Sequence, residues 1–121
     1  NRDVAKFLME DNGIKVEEAE NGQEAVDKFV SSKPGYYDAI LMDIMMPGLN
    51  GWEATERIRA MKRWDAERVS IIALSANSFA DDIVSSKLAG MDMHLAKPLD
   101  EKKLLETIKQ CLSKHMNDKK L

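Results

Sequence analysis

The sequence predicts a single α/β domain in which helices cover both faces of a doubly wound parallel sheet. Two mainly apolar runs, residues 39–42 and 69–74, are short, are interrupted only by Ser70, and are bounded by polar or turn residues, which is typical of strands buried on both faces. Amphipathic helical patterns alternate with such runs along the chain, and this alternation produces βαβ units. The 121 residues are enough for one hydrophobic core.

The composition is that of an ordinary globular domain, with 44% hydrophobic and 32% charged residues. The net charge of -3 and the lack of a Lys/Arg stripe with interleaved aromatics give no reason to expect nucleic-acid binding. No apolar stretch approaches the roughly 20 residues of a membrane helix, so we expect no membrane contact by this domain. Cys111 is the only cysteine, which fits a reducing compartment and a cytoplasmic location.

Five helices are predicted from apolar residues that recur at helical spacing. The first occupies the start of the chain and stops at Asn12 and Gly13, which are residues that commonly end helices. The last begins after Asp100, a good N-cap residue. The three helices between them cover residues 22–30, 52–61 and 79–89. We expect residues 1–116 to form the domain and residues 117–121 to form a polar tail.

Four strands are predicted, at residues 14–19, 37–43, 69–74 and 91–96. Three of them end at or directly before a chemically useful residue, namely Asp43, Ser75 and Lys97. The carboxyl ends of parallel strands lie at one edge of the sheet, where open α/β sheets bind their ligands. We therefore expect a carboxylate, a hydroxyl and an ammonium group to converge in one crevice.

This set of groups suits the handling of a phosphoryl group. Asp43 can act as a nucleophile and accept it. The Ser75 hydroxyl can donate a hydrogen bond to a phosphoryl oxygen, and Lys97 can supply a positive charge to the same group. Mg²⁺ is expected as a cofactor because carboxylate and phosphoryl oxygens are its preferred ligands.

Three motifs make the sequence similar to a response-regulator receiver domain of two-component and hybrid histidine-kinase proteins. They are LMDIMMPGLNG around Asp43, IIALSAN around Ser75 and HLAKPL around Lys97, and AENGQEA at residues 19–25 fits as well. The motifs fall in the family's order and at its separations over essentially the whole chain. The resemblance implies a flavodoxin-like sheet and gives Asp43 the role of phosphoacceptor.

The resemblance also implies roles for the residues around Asp43. The backbone carbonyl of Met45 would be a second metal ligand beside the Asp43 carboxylate. Ser75 would move towards the phosphoryl oxygens after modification, and His94 would follow that movement as the second switch residue. Lys97 would contact the phosphoryl group, and the Lys97–Pro98 peptide bond would be cis.

Two features depart from the family's pattern. The family usually has Tyr or Phe where this chain has His94. The family's first strand, which ends in a magnesium-binding acidic pair, is absent from this sequence. That strand lies in the middle of the family's sheet, so its loss would leave backbone groups unpaired. The chain could be truncated, a neighbouring molecule could supply the strand, or the four remaining strands could have closed up.

The leading functional interpretation is a signalling receiver. A histidine kinase or phosphotransfer domain would donate a phosphoryl group to Asp43, and the added charge would shift a protein-interaction surface. We expect that surface around Ile83, Lys87 and His94. The LSAN and LAKP segments resemble receivers of hybrid kinases, which suggests that the domain comes from a larger sensor kinase.

Three other functions are open at this point. The chain could be an interaction module that works without phosphorylation, and the missing strand could support self-association. A phosphatase with an aspartyl-phosphate intermediate usually has a second acid shortly after the nucleophile, and Ile44 and Met45 offer none. Flavin binding would need a phosphate-cradling loop after the first strand, which this sequence does not show.

Overall fold

The computed structural model describes residues 2–46, 48–76 and 80–120, and the side chains of residues 5–46, 48–76 and 82–113. Pro47 and Phe79, the first residue of the helix predicted at residues 79–89, lie outside the described residues. The five helices are α1 (Arg2–Asp11), α2 (Gly22–Ser31), α3 (Gly51–Arg59), α4 (Ala80–Ala89) and α5 (Glu101–Lys120). The three strands are β1 (Ala39–Asp43), β2 (Ser70–Ser75) and β3 (Met93–Ala96).

The sheet is parallel and has the order β1-β2-β3, so β2 lies between two neighbours. In the register of the sheet Asp43 is opposite Leu74, and Ser75 is opposite Ala96. The carboxyl ends of all three strands therefore lie at one edge. This confirms the predicted α/β class with a parallel sheet.

Hydrophobic residues form one cluster on each face of the sheet, which is how a strand becomes buried on both sides. One cluster joins the sheet to α2 and α3, and its fully buried members include Phe29, Ile58 and Ile71. The other joins the sheet to α1 and α5 through Met9, Ile72, Leu104 and Ile108. Helices thus cover both faces, as the alternation of patterns predicts.

The prediction of a fourth strand at residues 14–19 is wrong. The segment pairs with no described strand, and without a ladder of backbone hydrogen bonds an extended segment is not a strand. Side chains hold it instead. The Glu17 carboxylate accepts hydrogen bonds from the hydroxyls of Tyr36, at 2.6 Å, and Tyr37, at 2.8 Å. The Lys28 ammonium donates to the carbonyl of Glu18.

The idea of a closed-up sheet is wrong as well. A cavity of about 580 Å³ separates the segment that contains Val16 and Ala19 from strand β1. We call this cavity the β1 groove. The groove is lined by residues 5, 6 and 9 of α1, residues 16–20, residues 25, 28 and 29 of α2, Tyr37, residues 39–43 of β1, residues 45 and 46, Leu74, and residues 97–99.

Other segments also differ from the expected boundaries. The predicted tail begins at residue 117, but residues 117–120 continue α5 and residue 121 lies outside the described part. The division into a domain of residues 1–116 and a tail remains a prediction. Within the described residues, no helix is long and apolar enough to cross a membrane.

Candidate functional site

Asp43 and Lys97 meet at the carboxyl edge of the sheet. The Lys97 Nζ atom lies 2.5 Å from Oδ1 of Asp43, and both side chains are partly open to solvent, with 42% and 29% of their surface exposed. A charge-assisted contact of this length holds the carboxylate in one orientation. Two of the three groups that the sequence predicts at this edge are thus in direct contact.

Backbone hydrogen bonds to β2 fix the chain directly after β1 and after β3. The amide of Ile44 donates to the carbonyl of Leu74 at 3.0 Å, which continues the β1–β2 ladder past Asp43. The amide of Lys97 donates to the carbonyl of Ser75 at 2.7 Å. The Lys97–Pro98 peptide bond that follows is cis. Asp43 and Lys97 are therefore both positioned by the middle strand.

The segment that leads from Asp43 into α3 is packed tightly against the end of β1. Gly51 opens α3, and its amide donates to the carbonyl of Ile44 at 2.9 Å. A Cβ atom at Gly51 would lie only 2.2 Å from the carbonyl oxygen of Asp43, so only glycine fits there. Asn50 and Glu53 form a capping box that fixes the start of α3.

Ser75 and His94 lie in strands β2 and β3. Ser75 ends β2 and is buried, with 5% of its surface exposed. His94 lies within β3 and is half-buried, and its Nε2 atom is buried without a hydrogen-bond partner in the part of the chain that the structure describes. The predicted movement of these two residues as switches stays a prediction.

The described residues do not complete the metal site that the resemblance implies. Asp43 supplies one carboxylate, which Lys97 already contacts, and Met45 belongs to the segment directly after β1. The described residues contain no group of three or more His, Cys, Asp or Glu side chains placed to hold a metal ion. Mg²⁺ requires a near-octahedral shell of oxygen ligands. The described residues alone therefore do not fit a magnesium site.

Several contacts outside the site were not predicted from the sequence. On the α2 and α3 side, Asp65 pairs with Arg63 through contacts of 2.7 Å and 2.9 Å and accepts the amide of Gly35 at 2.8 Å. The Arg63 guanidinium holds the pKa of Asp65 below its ordinary value. Arg63 also donates to the carbonyl of Phe29 and lies over its ring. This pair fixes the end of α2 against the chain that precedes β2.

A second unpredicted contact involves Glu17 and Tyr37, which line the β1 groove. Burial and the hydrogen bond to Glu17 raise the pKa of Tyr37 to about 12. The hydrogen bond to Glu17 also raises the pKa of Tyr36, and the two tyrosines lower that of Glu17. The adjacent tyrosines before β1 are the only sequence signal for this contact, and they do not identify the partner.

Two further contacts attach neighbouring elements to α3. The Arg59 guanidinium at its end donates to the carbonyls of Gly90, Ala66 and Val69 and to the carboxylate of Asp92. These contacts join the segments that lead into β2 and β3. The Trp52 indole near the start of α3 donates to the Ser86 hydroxyl of α4 at 2.9 Å.

The parallel sheet and the Asp43–Lys97 contact at its carboxyl edge are the features that the sequence predicts for a receiver domain. Comparison with known proteins identifies the same class. Residues 1–109 match the family model for the response regulator receiver domain. The chain therefore belongs to the receiver domain family. It is 37% identical over 106 residues to Protein PilH of Pseudomonas aeruginosa, with 88% of this chain and 84% of that protein covered.

Sensor kinases contain similar segments. The chain is 39% identical over 109 residues to sensor protein GacS of Pseudomonas syringae pv. syringae and 37% identical over 116 residues to Probable histidine kinase 2 of Oryza sativa subsp. indica. In both comparisons 87% of this chain is covered, but the chain spans only 11% of the length of either relative. The likeness thus concerns one domain of these kinases.

Solved structures have the same fold. The receiver domain of sensor histidine kinase PA1611 from Pseudomonas aeruginosa PAO1 superposes with a TM-score of 0.82 at 34% identity, covering 93% of this chain and 88% of that chain. Its crystal structure has a magnesium ion coordinated in the active site cleft. A CheY-like receiver domain from Methanospirillum hungatei JF-1 gives a TM-score of 0.84 at 26% identity, with 97% and 88% covered.

Proposed function

We propose that this receiver domain accepts a phosphoryl group from a phosphohistidine onto the carboxylate of Asp43. The observation that carries the proposal is the 2.5 Å contact between Asp43 and Lys97 at the carboxyl edge of the sheet. In the reaction an oxygen of Asp43 attacks phosphorus, the phosphorus–nitrogen bond breaks, and the imidazole of the donor leaves. The product is an aspartyl phosphate.

Lys97 and Ser75 have separate roles in this proposal. The Lys97 ammonium stays beside Asp43 and offsets the negative charge that arrives with the phosphoryl group. The Ser75 hydroxyl moves towards a phosphoryl oxygen and donates a hydrogen bond to it. His94 in β3 follows the movement of Ser75. The altered surface would then include Ile83, Lys87 and His94, on α4 and β3.

The donor in this proposal is a histidine kinase or a phosphotransfer domain, in the setting of a hybrid sensor kinase in the cytoplasm. Similarity to domains of GacS and the rice kinase supports this choice. A magnesium ion would need oxygen ligands beyond Asp43 and Met45, so no step here is assigned to it.

A small acyl phosphate tests the reaction directly. The protein is incubated with this donor and magnesium, and intact-mass spectrometry measures the addition of one phosphoryl group. We expect Asp43→Asn to abolish the addition because the nucleophilic oxygen is lost. Asp38→Asn, just before the opposite end of β1, is the matched control and should keep it.

A second candidate is an interaction module that works without phosphorylation, and such a module needs none of the metal ligands that the described residues lack. The same experiment separates the two functions when it is repeated on a chain extended at its N-terminus by a strand ending in two acidic residues. Phosphorylation of only the extended chain would mean that the shorter chain lacks metal ligands. No phosphorylation of either chain would reject the phosphoacceptor and favour the interaction module.

A further inference from the structure

We propose that the hydrogen bond between Trp52 and Ser86 divides α4 into two parts that respond independently. We call residues 86–89 the anchored half, which stays fixed to α3, and residues 80–85 the free half, which can change position. The division is a property of the unmodified chain. Its use in signalling, where phosphorylation would change only the free half, rests on the function proposed for Asp43.

The first observation is the contact itself, which lies largely out of solvent. The indole Nε1 of Trp52 donates to the Ser86 hydroxyl at 2.9 Å, and only 2% of the Ser86 surface is exposed. Trp52 packs against the hydrophobic cluster that joins the sheet to α2 and α3. A buried hydroxyl that loses its partner destabilises the fold, because water does not replace the lost bond. The contact therefore resists separation of α3 and α4.

The second observation is that Trp52 is itself held in place relative to Asp43. It directly follows Gly51, whose amide donates to the carbonyl of Ile44 at 2.9 Å. The backbone at Gly51 also approaches the Asp43 carbonyl so closely that no side chain fits between them. The anchored half of α4 is thus attached, through one side chain of α3, to the segment that follows Asp43.

The third observation is a second junction, directly after the end of α4. The amide of Met91 donates to the carbonyl of Ser86 at 2.9 Å, and Met91 is buried. The Arg59 guanidinium of α3 donates to the carbonyl of Gly90 and to the carboxylate of Asp92, both at 2.9 Å. The anchored half is therefore held to α3 at its start and just beyond its end.

The free half has no comparable attachment. Side chains 82–85 form no hydrogen bond or ion pair with another helix or strand in the part of the chain that the structure describes. Ile83 is half-buried, and Val84 is 55% exposed. A segment with few buried contacts opens more readily than one that is hydrogen-bonded to its neighbours. In the proposed interaction surface, Ile83 therefore belongs to the free half and Lys87 to the anchored half.

Amide hydrogen exchange of the unmodified protein, followed by NMR, tests the division. In Trp52→Phe we expect the exchange rates of Ala89 and Met91 to rise about tenfold, because one buried hydrogen bond is lost. The exchange rate of Val84 should stay within about twofold. Trp64→Phe is the matched control because Trp64 is 59% exposed, and it should leave all three rates unchanged.

A second variant removes the other partner of the hydrogen bond. Ser86→Ala keeps the Trp52 ring and should raise the same two exchange rates by a similar factor. In the double variant the two effects should not add, because both substitutions remove one bond. Circular dichroism shows whether the variants fold. If they do not, the unchanged chain decides: its Trp52 indole proton should exchange at least about tenfold more slowly than that of Trp64.

A measurement after phosphorylation tests the use of the division in signalling. The protein is treated with a small acyl phosphate and magnesium, and intact mass shows whether one phosphoryl group is added. In the phosphorylated protein we expect the exchange rate of Val84 to change about threefold or more, and those of Ala89 and Met91 to stay within about twofold. No added mass would contradict the function proposed for Asp43, whereas the unmodified variants would still decide the division.

Four results would overturn the proposal. The first is a Trp52 indole proton that exchanges as fast as that of Trp64. The second is a Trp52→Phe variant in which Val84 and Ala89 change equally. The third is an unchanged exchange rate of Ala89 in both Trp52→Phe and Ser86→Ala. The fourth is a phosphorylated protein in which the anchored half changes as much as the free half.

Discussion

Strands β1 and β2 have similar aliphatic sequences but different surroundings. In β2 five of six residues are buried, whereas in β1 only Met42 is buried and the other four residues are partly exposed. Among the described strands β2 has a neighbour on each side and β1 has a neighbour on one side, which accounts for the difference in burial. An aliphatic run therefore predicts a strand that can be buried, but the neighbouring strand determines whether it is.

The largest expected effect comes from truncating matched residues in the two strands. Ile40 and Ile71 are paired in the sheet, but Ile71 is completely buried whereas Ile40 is partly exposed beside the β1 groove. We expect Ile71→Ala to lower the free energy of unfolding by about 3–4 kcal/mol and Ile40→Ala by about half of that. Urea denaturation of both variants measures this difference. Equal losses would contradict the contrast between the strands.

A smaller difference in stability is expected between a buried ion pair and a partly exposed one. Asp65 is buried with Arg63, whereas the Lys6–Glu18 pair beside the groove is partly exposed and 3.9 Å apart. We expect Asp65→Ala to cost about 3 kcal/mol of stability and Glu18→Ala less than about 1 kcal/mol. Chemical denaturation at neutral pH compares them. A larger loss for Glu18→Ala would reverse the ranking.

The pKa of Asp65 adds a dependence on pH to this comparison. Because pairing with Arg63 lowers its pKa in the folded state, its contribution to stability is complete above the unfolded value of about 3.9 and is lost as the pH falls through the folded value. Asp65→Asn should therefore flatten the loss of stability below about pH 4. Denaturation measured at several acidic pH values tests this, and an unchanged slope would contradict it.

The next effect on stability compares two glycines. Gly51 lies against the end of β1, and Gly13 directly precedes residues 14–19. Gly51→Ala forces a Cβ atom against the carbonyl of Asp43, which we expect to cost about 2 kcal/mol and to reduce phosphorylation of Asp43. Gly13 has a φ of 80° and open space around it, so Gly13→Ala should cost about 1 kcal/mol from backbone strain alone. Unfolding and phosphorylation assays separate the two, because only Gly51→Ala should affect both.

The smallest effect concerns the contact that holds the unpaired segment. Glu17→Gln should lower the pKa of Tyr36 towards its ordinary value of about 10, because the hydrogen bond to Glu17 is the main cause of its rise. The pKa of Tyr37 should fall by a smaller fraction because burial is its main cause. An ultraviolet absorbance titration, with Tyr36→Phe and Tyr37→Phe to assign the steps, measures both. Equal falls would contradict this assignment.

The sequence predicts those helices and strands whose residue pattern and boundary residues lie within one segment of the chain. The runs that became β1 and β2 carry their own boundaries, and the three motifs bring Asp43 and Lys97 to one edge. The strand at residues 14–19 was predicted wrongly because alternation describes side chains, whereas a strand exists only when a neighbour accepts its backbone hydrogen bonds. Whether such a neighbouring strand is present depends on the order of the strands in the whole sheet and not on residues 14–19.

The missed contacts have a common cause. Arg63 and Asp65 are close in the sequence and resemble a solvated connection, but their burial depends on the position of α2. The partners of Glu17 are about 20 residues away, and those of Arg59 lie in three different segments. Such contacts follow from packing and not from local patterns, so they could not be predicted from single segments.

The two tryptophans of the chain are independent optical reporters. Trp52 is partly buried and hydrogen-bonded to Ser86, so its emission responds to the distance between α3 and α4. Trp64 is 59% exposed, and its ring lies over Gly35 before β1, so solvent dominates its emission. A Trp64→Phe chain would therefore carry one fluorophore at the α3–α4 junction, and fluorescence could follow that junction in real time during exposure to a phosphodonor.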